Sequence, residues 1–446
     1  SAMLSRVVGG DPSQIMGLLE ANGIFYLVNP NGVYFSHTAT VNVPELIATT
    51  LDISNEDFLA GKMEFSGDSA ADIVNEGVIN SEVAALLAGE GRVTNTGQIN
   101  AGQAAVMAAA ENVKLGPIGG GMLSIDVTGL SGEVVNEGGI DASGTPWSPD
   151  GGRVVLEADA VADFGDIHAD GIGAGDGGDI TLKGNVLIAD GNVTAMGGPD
   201  GGDGGFVETS GFEGFIINTA PDVSAGEEGD AGLWFIDPYD IDVVDNVAAP
   251  GYAGIADDGP SVNFQLLMRA DGSSPNARIS DDTIEAGLSV GNVRIGTQGA
   301  TEGGEAGNIT VLAPIDAPAG NTNQLEFWAY NNIDIQSAID MQNGDLYLLS
   351  DEGNITQSAP MSGDWLLLST PNTVNLSNPG NDFNTISTFG SGANDTGYST
   401  FGSDTVNILQ LDDPVSLTYT DANAIDLGSG TYLSLGFNIP GVVATN

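Results

Sequence analysis

Apolar residues along this chain come in short runs, each closed by a cluster of glycine, asparagine, aspartate or proline. Ile24-Phe25-Tyr26-Leu27-Val28 halts at Asn29-Pro30-Asn31-Gly32 and resumes as Val33-Tyr34-Phe35. Runs this short, rich in β-branched and aromatic residues and punctuated by turn formers, predict strands. Residues 46–67 read as a strand, a polar turn and a short excursion. Two segments read as helix instead. In the first, Asp11 suits an N-cap, Pro12 the first helical position and Asn22-Gly23 the stop. The second, Ser280-Asp281-Asp282-Thr283-Ile284-Glu285-Ala286, reads as a capped short helix.

The runs also repeat. Val74-Asn75-Glu76-Gly77-Val78-Ile79-Asn80 recurs 20 residues later as Thr94-Asn95-Thr96-Gly97-Gln98-Ile99-Asn100, and again as Val135-Asn136-Glu137-Gly138-Gly139-Ile140-Asp141. Residues 83–90 are echoed by 104–111. A Gly-Gly followed by a strand returns at Gly151-Gly152, Gly177-Gly178 and Gly204-Gly205. A unit of this size cannot bury its own apolar face, but stacked coils can, so the expected fold is all-β, a parallel β-helix. Asparagines at equivalent positions would then form amide ladders along the stack. A β-sandwich or propeller also uses many short strands but lacks this recurrence. With coils of about 23 residues adding about 4.8 Å each, the solenoid would be elongated, on the order of 90 Å. The repeats run from about 70 to 240. Residues 245–288, with Pro250, Asp257-Asp258-Gly259-Pro260 and Asp271-Gly272, read as a loop-rich insertion or joint. Strands return at Asn292-Val293-Arg294-Ile295, Asn308 to Leu312, Leu325 to Tyr330 and Ile333-Asp334-Ile335. Val415 to Thr418 and Ala424 to Leu427 keep the same style.

Composition narrows the functions. The 446 residues carry 61 Asp+Glu against 9 Lys+Arg, a formal charge of −52. Such a field repels nucleic acid and anionic lipid, whose binding proteins neutralise phosphates. At 41% hydrophobic and 16% charged, the chain still has enough apolar residues for a core. There is no cysteine, hence no disulfide, thiolate metal site or cysteine nucleophile. No apolar stretch approaches the roughly 18 residues of a membrane span. The start of the sequence lacks the apolar core of a signal peptide, and the chain reads as a soluble piece of something larger.

Candidate chemistry is sparse. His37 and His168 stand apart from any nucleophile signature. Carboxylates are plentiful enough for a glycosidase-like pair, but the six arginines (Arg6, Arg92, Arg153, Arg269, Arg278, Arg294) are dispersed, unlike the basic cluster of a polysaccharide lyase. Calcium is the better chemical candidate. Asp176-Gly177-Gly178-Asp179 and Asp200-Gly201-Gly202-Asp203 resemble turns in which hard oxygens converge on the cation. No other cofactor is expected. Trp147, between Pro146 and Pro149, is a candidate sugar-stacking platform, while Trp234 and Trp328 lie in strand patterns and are expected in the core.

Several strings together resemble the filamentous-haemagglutinin family, the large exoproteins of bacterial two-partner secretion. They are Asp11-Pro12-Ser13-Gln14-Ile15, the motif Asn29-Pro30-Asn31-Gly32-Val33, Ala48 to Ser54 with Asp57-Phe58, and Val207-Glu208-Thr209-Ser210-Gly211. Ala231 to Ile241 and Gly307 to Ile335 continue the likeness, which spans roughly residues 4–340. The resemblance implies a right-handed parallel β-helix, export through an outer-membrane barrel partner of a Gram-negative bacterium, and a role in adhesion, biofilm or competition. It divides the chain into a partial secretion domain over 1–115, continuing β-helix over 116–244, the insertion or joint over 245–288 and a second β-helical stretch over 289–446. The family carries further strands ahead of the segment matching Leu4-Ser5-Arg6-Val7, so a fragment or an uncapped first coil is expected. An uncapped coil would invite head-to-tail association. The expected function is a secreted or cell-surface adhesin or structural stalk, non-enzymatic, contacting a host or neighbouring cell surface or a glycan. The alternatives are a self-assembling extracellular filament and a β-helical polysaccharide-active enzyme.

Overall fold

The computed structural model describes residues 2–117, 123–245, 277–298, 306–388 and 416–419. The chain divides into two compact units, Ser1–Gly211 with Pro221–Gly232, and Phe212–Ala220 with Leu233–Asn446. Each is built from parallel strands in stacked coils, and the fold is a right-handed parallel β-helix.

In the first unit the coils stack their strand segments into three parallel columns, a long strand at times serving two of them. The first runs Ala2–Arg6, Ile24–Val28, Glu45–Thr49, Val78–Ala88, Gln98–Pro117, Arg153–Glu157 and Asp179–Ala189. The second runs Ser13–Ile15, Val33–Phe35, Ile73–Asn75, Arg92–Asn95, Glu133–Asn136 and Ala160–Asp163, and continues in the last residues of the long strand Asp179–Ala189. The third begins Leu18–Glu20, Thr40–Asn42 and ends Gly139–Asp141, Asp166–His168, Asn192–Thr194. Between them it uses the first residues of the long strands Val78–Ala88 and Gln98–Pro117. The predicted repeats are therefore register partners: Val93 lies beside Ile73, and Ile99 between Ile79 and Ile140. Ile73, Ile79, Val93, Ile99, Ile140 and Ile167 are almost fully buried. Each such side chain contributes roughly 1.5–3 kcal/mol when taken out of water.

The predicted helix over residues 11–22 is not formed. Ser13–Ile15 and Leu18–Glu20 are strands, paired with Val33–Phe35 and Thr40–Asn42. An isolated ten-residue helix is marginal in water, so strand pairing overrides its cap signals. The short helix α1, Asn55–Ala60, lies in the excursion after Thr49. Ser54 Oγ accepts from the Asp57 amide at its start, and Gly61 closes it in the left-handed conformation.

The long strand Gln98–Pro117 leaves the coil at its far end. It pairs antiparallel with Met63–Ser66 and Leu123–Leu130 in a small extra sheet. That sheet and α1 cover the outer face of the first column. Phe65, Val113 and Leu115 pack there against Tyr26, Ile47, Leu87, Val106 and Val155. With both faces covered, these strands read as continuous apolar runs rather than alternating ones.

In the second unit one column runs Leu233–Ile236, Asn292–Gly296, Leu325–Ala329, Leu346–Ser350, Met361–Ser369 and Asp382–Thr388. Another runs Ala277–Ser280, Ile241–Val244, Ile309–Val311, Ile333–Ile335, Ile355–Gln357, Thr373–Leu376 and Ser416–Tyr419. The second predicted helix is present as α2, Asp281–Leu288, after Ser280. Its Gly287 faces the ring of fully buried Trp234, where an added Cβ would sit 2.7 Å from the indole. Trp328 is only half buried and donates from Nε1 to Asp351. Most of the loop-rich segment (246–276) and Ala424 to Leu427 lie outside the described residues.

Candidate functional site

The corner at Asn29-Pro30-Asn31-Gly32 ties three coils together. Asn29 is fully buried; its Nδ2 donates to the Asp11 carbonyl (3.1 Å) and Ser13 Oγ (3.0 Å). Its Oδ1 accepts the Asn31 amide at 2.9 Å, and Asn31 Nδ2 reaches back to the Gly9 carbonyl at 2.8 Å. On the other side Ser69 Oγ donates to the Pro30 carbonyl, and the Val33 amide to that of Asp72. Gly32 has φ +105°, and a Cβ there would lie 2.9 Å from the Asp72 oxygen, so only glycine fits. The motif holds the first coil onto the second and third.

Two amide ladders follow. The inner one is buried: Asn75 Nδ2 donates to Asn95 Oδ1 (2.8 Å), Asn95 to Asn136 (2.8 Å), and Asn136 to Asp163 Oδ1 (2.7 Å). Burial pushes the Asp163 carboxyl up to about 7, against the opposing hydrogen bonds from Asn136 and the Gly165 amide. Among the described residues its Oδ2 has no partner. The outer ladder is half exposed. Asn100 Nδ2 donates to Asn80 Oδ1 at 2.8 Å and Asn80 Nδ2 to Asn42 Oδ1 at 2.9 Å, with Asp141 next in register.

The candidate calcium residues are placed as follows. Asp176 and Asp203 are exposed and belong to a third ladder with Asp150 and Asp230. Asp150 Oδ1 accepts the Asp176 amide (3.1 Å), Asp176 Oδ1 that of Asp203 (2.9 Å), and Asp203 Oδ1 that of Asp230 (2.8 Å). Asp179 opens its strand beside Arg153, and Asp200 is exposed on a turn, its amide bonded to the Gly173 carbonyl. Among the described residues no three carboxylate or imidazole groups converge as a metal cluster would. The Gly-Gly pairs stack so closely that a Cβ at Gly178 would lie 2.0 Å from the Gly152 oxygen.

His37 is exposed. His168 does have neighbours that sequence spacing hid: its Nδ1 lies 2.8 Å from Thr194 Oγ1, which donates to Asp170 Oδ2 at 2.9 Å. The hydroxyl proton is thus directed to the carboxylate and not to the imidazole, the reverse of a nucleophile–base–acid relay. Glu157 is held up to about 7, chiefly by burial, with Glu208 and Asp126 adding and Lys183 and Arg153 opposing. In the second unit Glu326 is raised by burial, opposed by Arg294, whose Nη2 donates to it at 2.9 Å.

Trp147 is 95% exposed. It occupies the tip of a turn closed by Thr145 and Ser148 backbone bonds. The base of that turn borders an open groove of about 580 Å³. Asn42, Asn80, Asn100 and Asp141 line it, with Glu82 and Thr145 among the flanking residues. The sequence did not single out this groove, although the recurring Asn80 and Asn100 were its signal.

No described helix is long and apolar enough to cross a membrane. Compared with known proteins, residues 1–204 match the TPS secretion domain family. A stretch of 49 residues is 55% identical to the heme/hemopexin-binding protein of Haemophilus influenzae, covering 11% of this chain and 5% of that protein. The same-named protein of H. influenzae strain Rd is 53% identical over 53 residues, 12% of this chain and 6% of its own length. The chain thus matches only a small part of these relatives. The crystal structure of the HMW1 secretion domain from H. influenzae is similar at 21% identity and TM-score 0.45, covering 81% of each chain. Residues 1–204 thus match a two-partner secretion domain, the domain found in exoproteins that Gram-negative bacteria secrete by that route.

Proposed function

We propose that this chain is the exported β-helical part of a surface adhesin or stalk, acting by geometry and not by catalysis. The observation that carries the reading is the match of residues 1–204 to the secretion domain. The same stretch is a coil stack carrying asparagine and aspartate ladders along its length. A secretion domain implies an outer-membrane transporter as its partner. The stack would then carry contacting loops away from the cell. Expression in a Gram-negative host with and without a two-partner transporter tests the first half: release into the medium is expected only with the transporter. Beads coated with the purified chain test the second: they should adhere to host or bacterial cells, and failure on all cells tried removes the adhesin reading and leaves the stalk.

Self-association is a second reading, with its own observation. Among the described residues, Ala2–Arg6, Ser13–Ile15 and Leu18–Glu20 pair on one side only. Met3, Met16 and Leu18 on them or beside them are more than half exposed. Unpaired strand edges with apolar side chains favour pairing with another chain. Light scattering should then show mass rising with concentration; a constant monomer mass removes the reading.

A further inference from the structure

The open groove of the first unit is formed where the coils change width. In the coils carrying Asn42, Asn80 and Asn100, the third strand passes to the next first-column strand almost directly, through Val43-Pro44 or within one long strand. After Asp141 the connection lengthens to residues 142–152 and swings outward, carrying Trp147 at its tip. The narrow corners thus form a floor, and the loop forms a wall at one end.

The chemistry of that floor is specific. Asn42, Asn80 and Asn100 are stacked at the coil spacing of about 4.8 Å. Each ladder bond uses one N–H and one lone pair, so Asn80, at the centre, keeps a second N–H and a second acceptor site. Asp141 and Glu82 add exposed carboxylates, Ser143 and Thr145 hydroxyls, and Val43, Pro44, Ala101 and Gly102 small apolar surface. Among the described residues no lysine, arginine or histidine lines the groove. An anionic ligand would find no counter-charge there, in a chain of net charge −52.

From these features we infer that the groove between the Asn42–Asn80–Asn100 ladder and the Trp147 loop binds a neutral oligosaccharide. Amides and carboxylates in a row offer the donor and acceptor pairs that vicinal hydroxyls need, and an exposed indole offers an apolar platform for a sugar face. The groove is open, as an extended chain requires, and its volume is within the range of ligand sites. The inference deepens the adhesive reading by naming a ligand class, but it concerns binding by the purified chain alone and needs neither transporter nor cell.

The test titrates the full chain with a panel of neutral oligosaccharides (gluco-, manno- and galacto-configured), following calorimetry and tryptophan fluorescence. Sialylated oligosaccharides and a lysine-rich peptide serve as comparisons. Saturable binding of at least one neutral member is expected. Trp147 sits at the tip of the bordering loop and outside the groove's lining, so Trp147→Ala should weaken binding about tenfold for members long enough to reach that tip. Asn80→Ala should weaken it similarly, and Leu59→Ala on α1, 83% exposed and away from the groove, should leave it unchanged. Trp147 is so exposed that its removal leaves the fold intact, so loss in that variant reads binding and not stability. Binding of none of the neutral panel at millimolar concentration overturns the inference. So does neutral-sugar binding that both groove variants retain, or a groove that takes only the peptide or the acidic sugars. A null titration alongside bead adhesion to cells would leave the adhesive reading standing on another surface.

Discussion

Asp163 ends the buried amide ladder with a group that ionises where the preceding rungs do not. Its Oδ1 takes the Asn136 amide, its Oδ2 has no partner among the described residues, and burial holds the carboxyl near 7 instead of 3.8. Between those values the folded chain keeps a proton that the unfolded chain has released, so the contribution of Asp163 to stability is greatest below pH 4 and falls as pH rises to 7. The full loss is on the order of 4 kcal/mol. Asp163→Asn keeps the acceptor for Asn136 and removes the charge. It is expected to raise the melting temperature at pH 8 by several degrees and to change little at pH 4.5, as read by thermal denaturation at both pH values. An unchanged difference between the two would show that Asp163 does not supply the slope. The ladder up to Asn136 was legible in the recurring Asn-x-Gly motif, because identical offsets force identical depth in the stack. Its end at Asp163 was not, since Asp163-Phe164-Gly165 keeps the glycine but puts a carboxylate where the motif has its asparagine.

Among the elements, the coils were legible and what covers them was not. Ile73, Val93 and Ile140 follow a repeat that any stacked fold must obey, and the strands of the second unit began where turn residues stop. The helix expected over residues 11–22 failed because its signals are local, whereas Ser13–Ile15 answers to Val33–Phe35 across the stack. The extra sheet over the first column left a signal that passed unread. Residues 83–88 and 104–110 are apolar at every position, which a strand needs only when both of its faces are buried. Phe65 is the centre of that cover, stacked at 6.2 Å on Tyr26. Phe65→Ala should therefore cost about 3–5 kcal/mol. Binding of a hydrophobic dye should rise as Ile47, Leu87 and Val106 lose their cover. Leu59→Ala on neighbouring α1 should stay within about 0.5 kcal/mol. Urea unfolding of both variants checks this, and an equal, small effect would mean the extra sheet stabilises nothing beneath it.

For the molecule as a whole the largest influence outside the core is its own charge. Sequence composition alone sets it at −52, but not where the carboxylates sit, and the coil stack makes their placement costly. Asp150, Asp176, Asp203 and Asp230 are held one above another at the coil spacing of about 4.8 Å. In the stack one oxygen of each of the first three carboxylates accepts the amide of the next rung. Those bonds offset part of the repulsion, and mobile cations screen the rest, since the Debye length falls from about 30 Å at 0.01 M salt to about 3 Å at 1 M. Unfolding separates the like charges, so repulsion weighs against the folded state most at low salt. The melting temperature at pH 8 should therefore climb by several degrees from about 0.01 M to about 0.5 M sodium chloride, a range over which the Debye length shrinks several-fold. The control is the same series at pH 4, where most carboxylates carry protons and there is little charge left to screen. Scanning calorimetry should show the salt effect shrink there. An equal gain at both pH values would mean that salt acts through hydration of apolar surface, and that the acidic ladders are already neutralised where they stand.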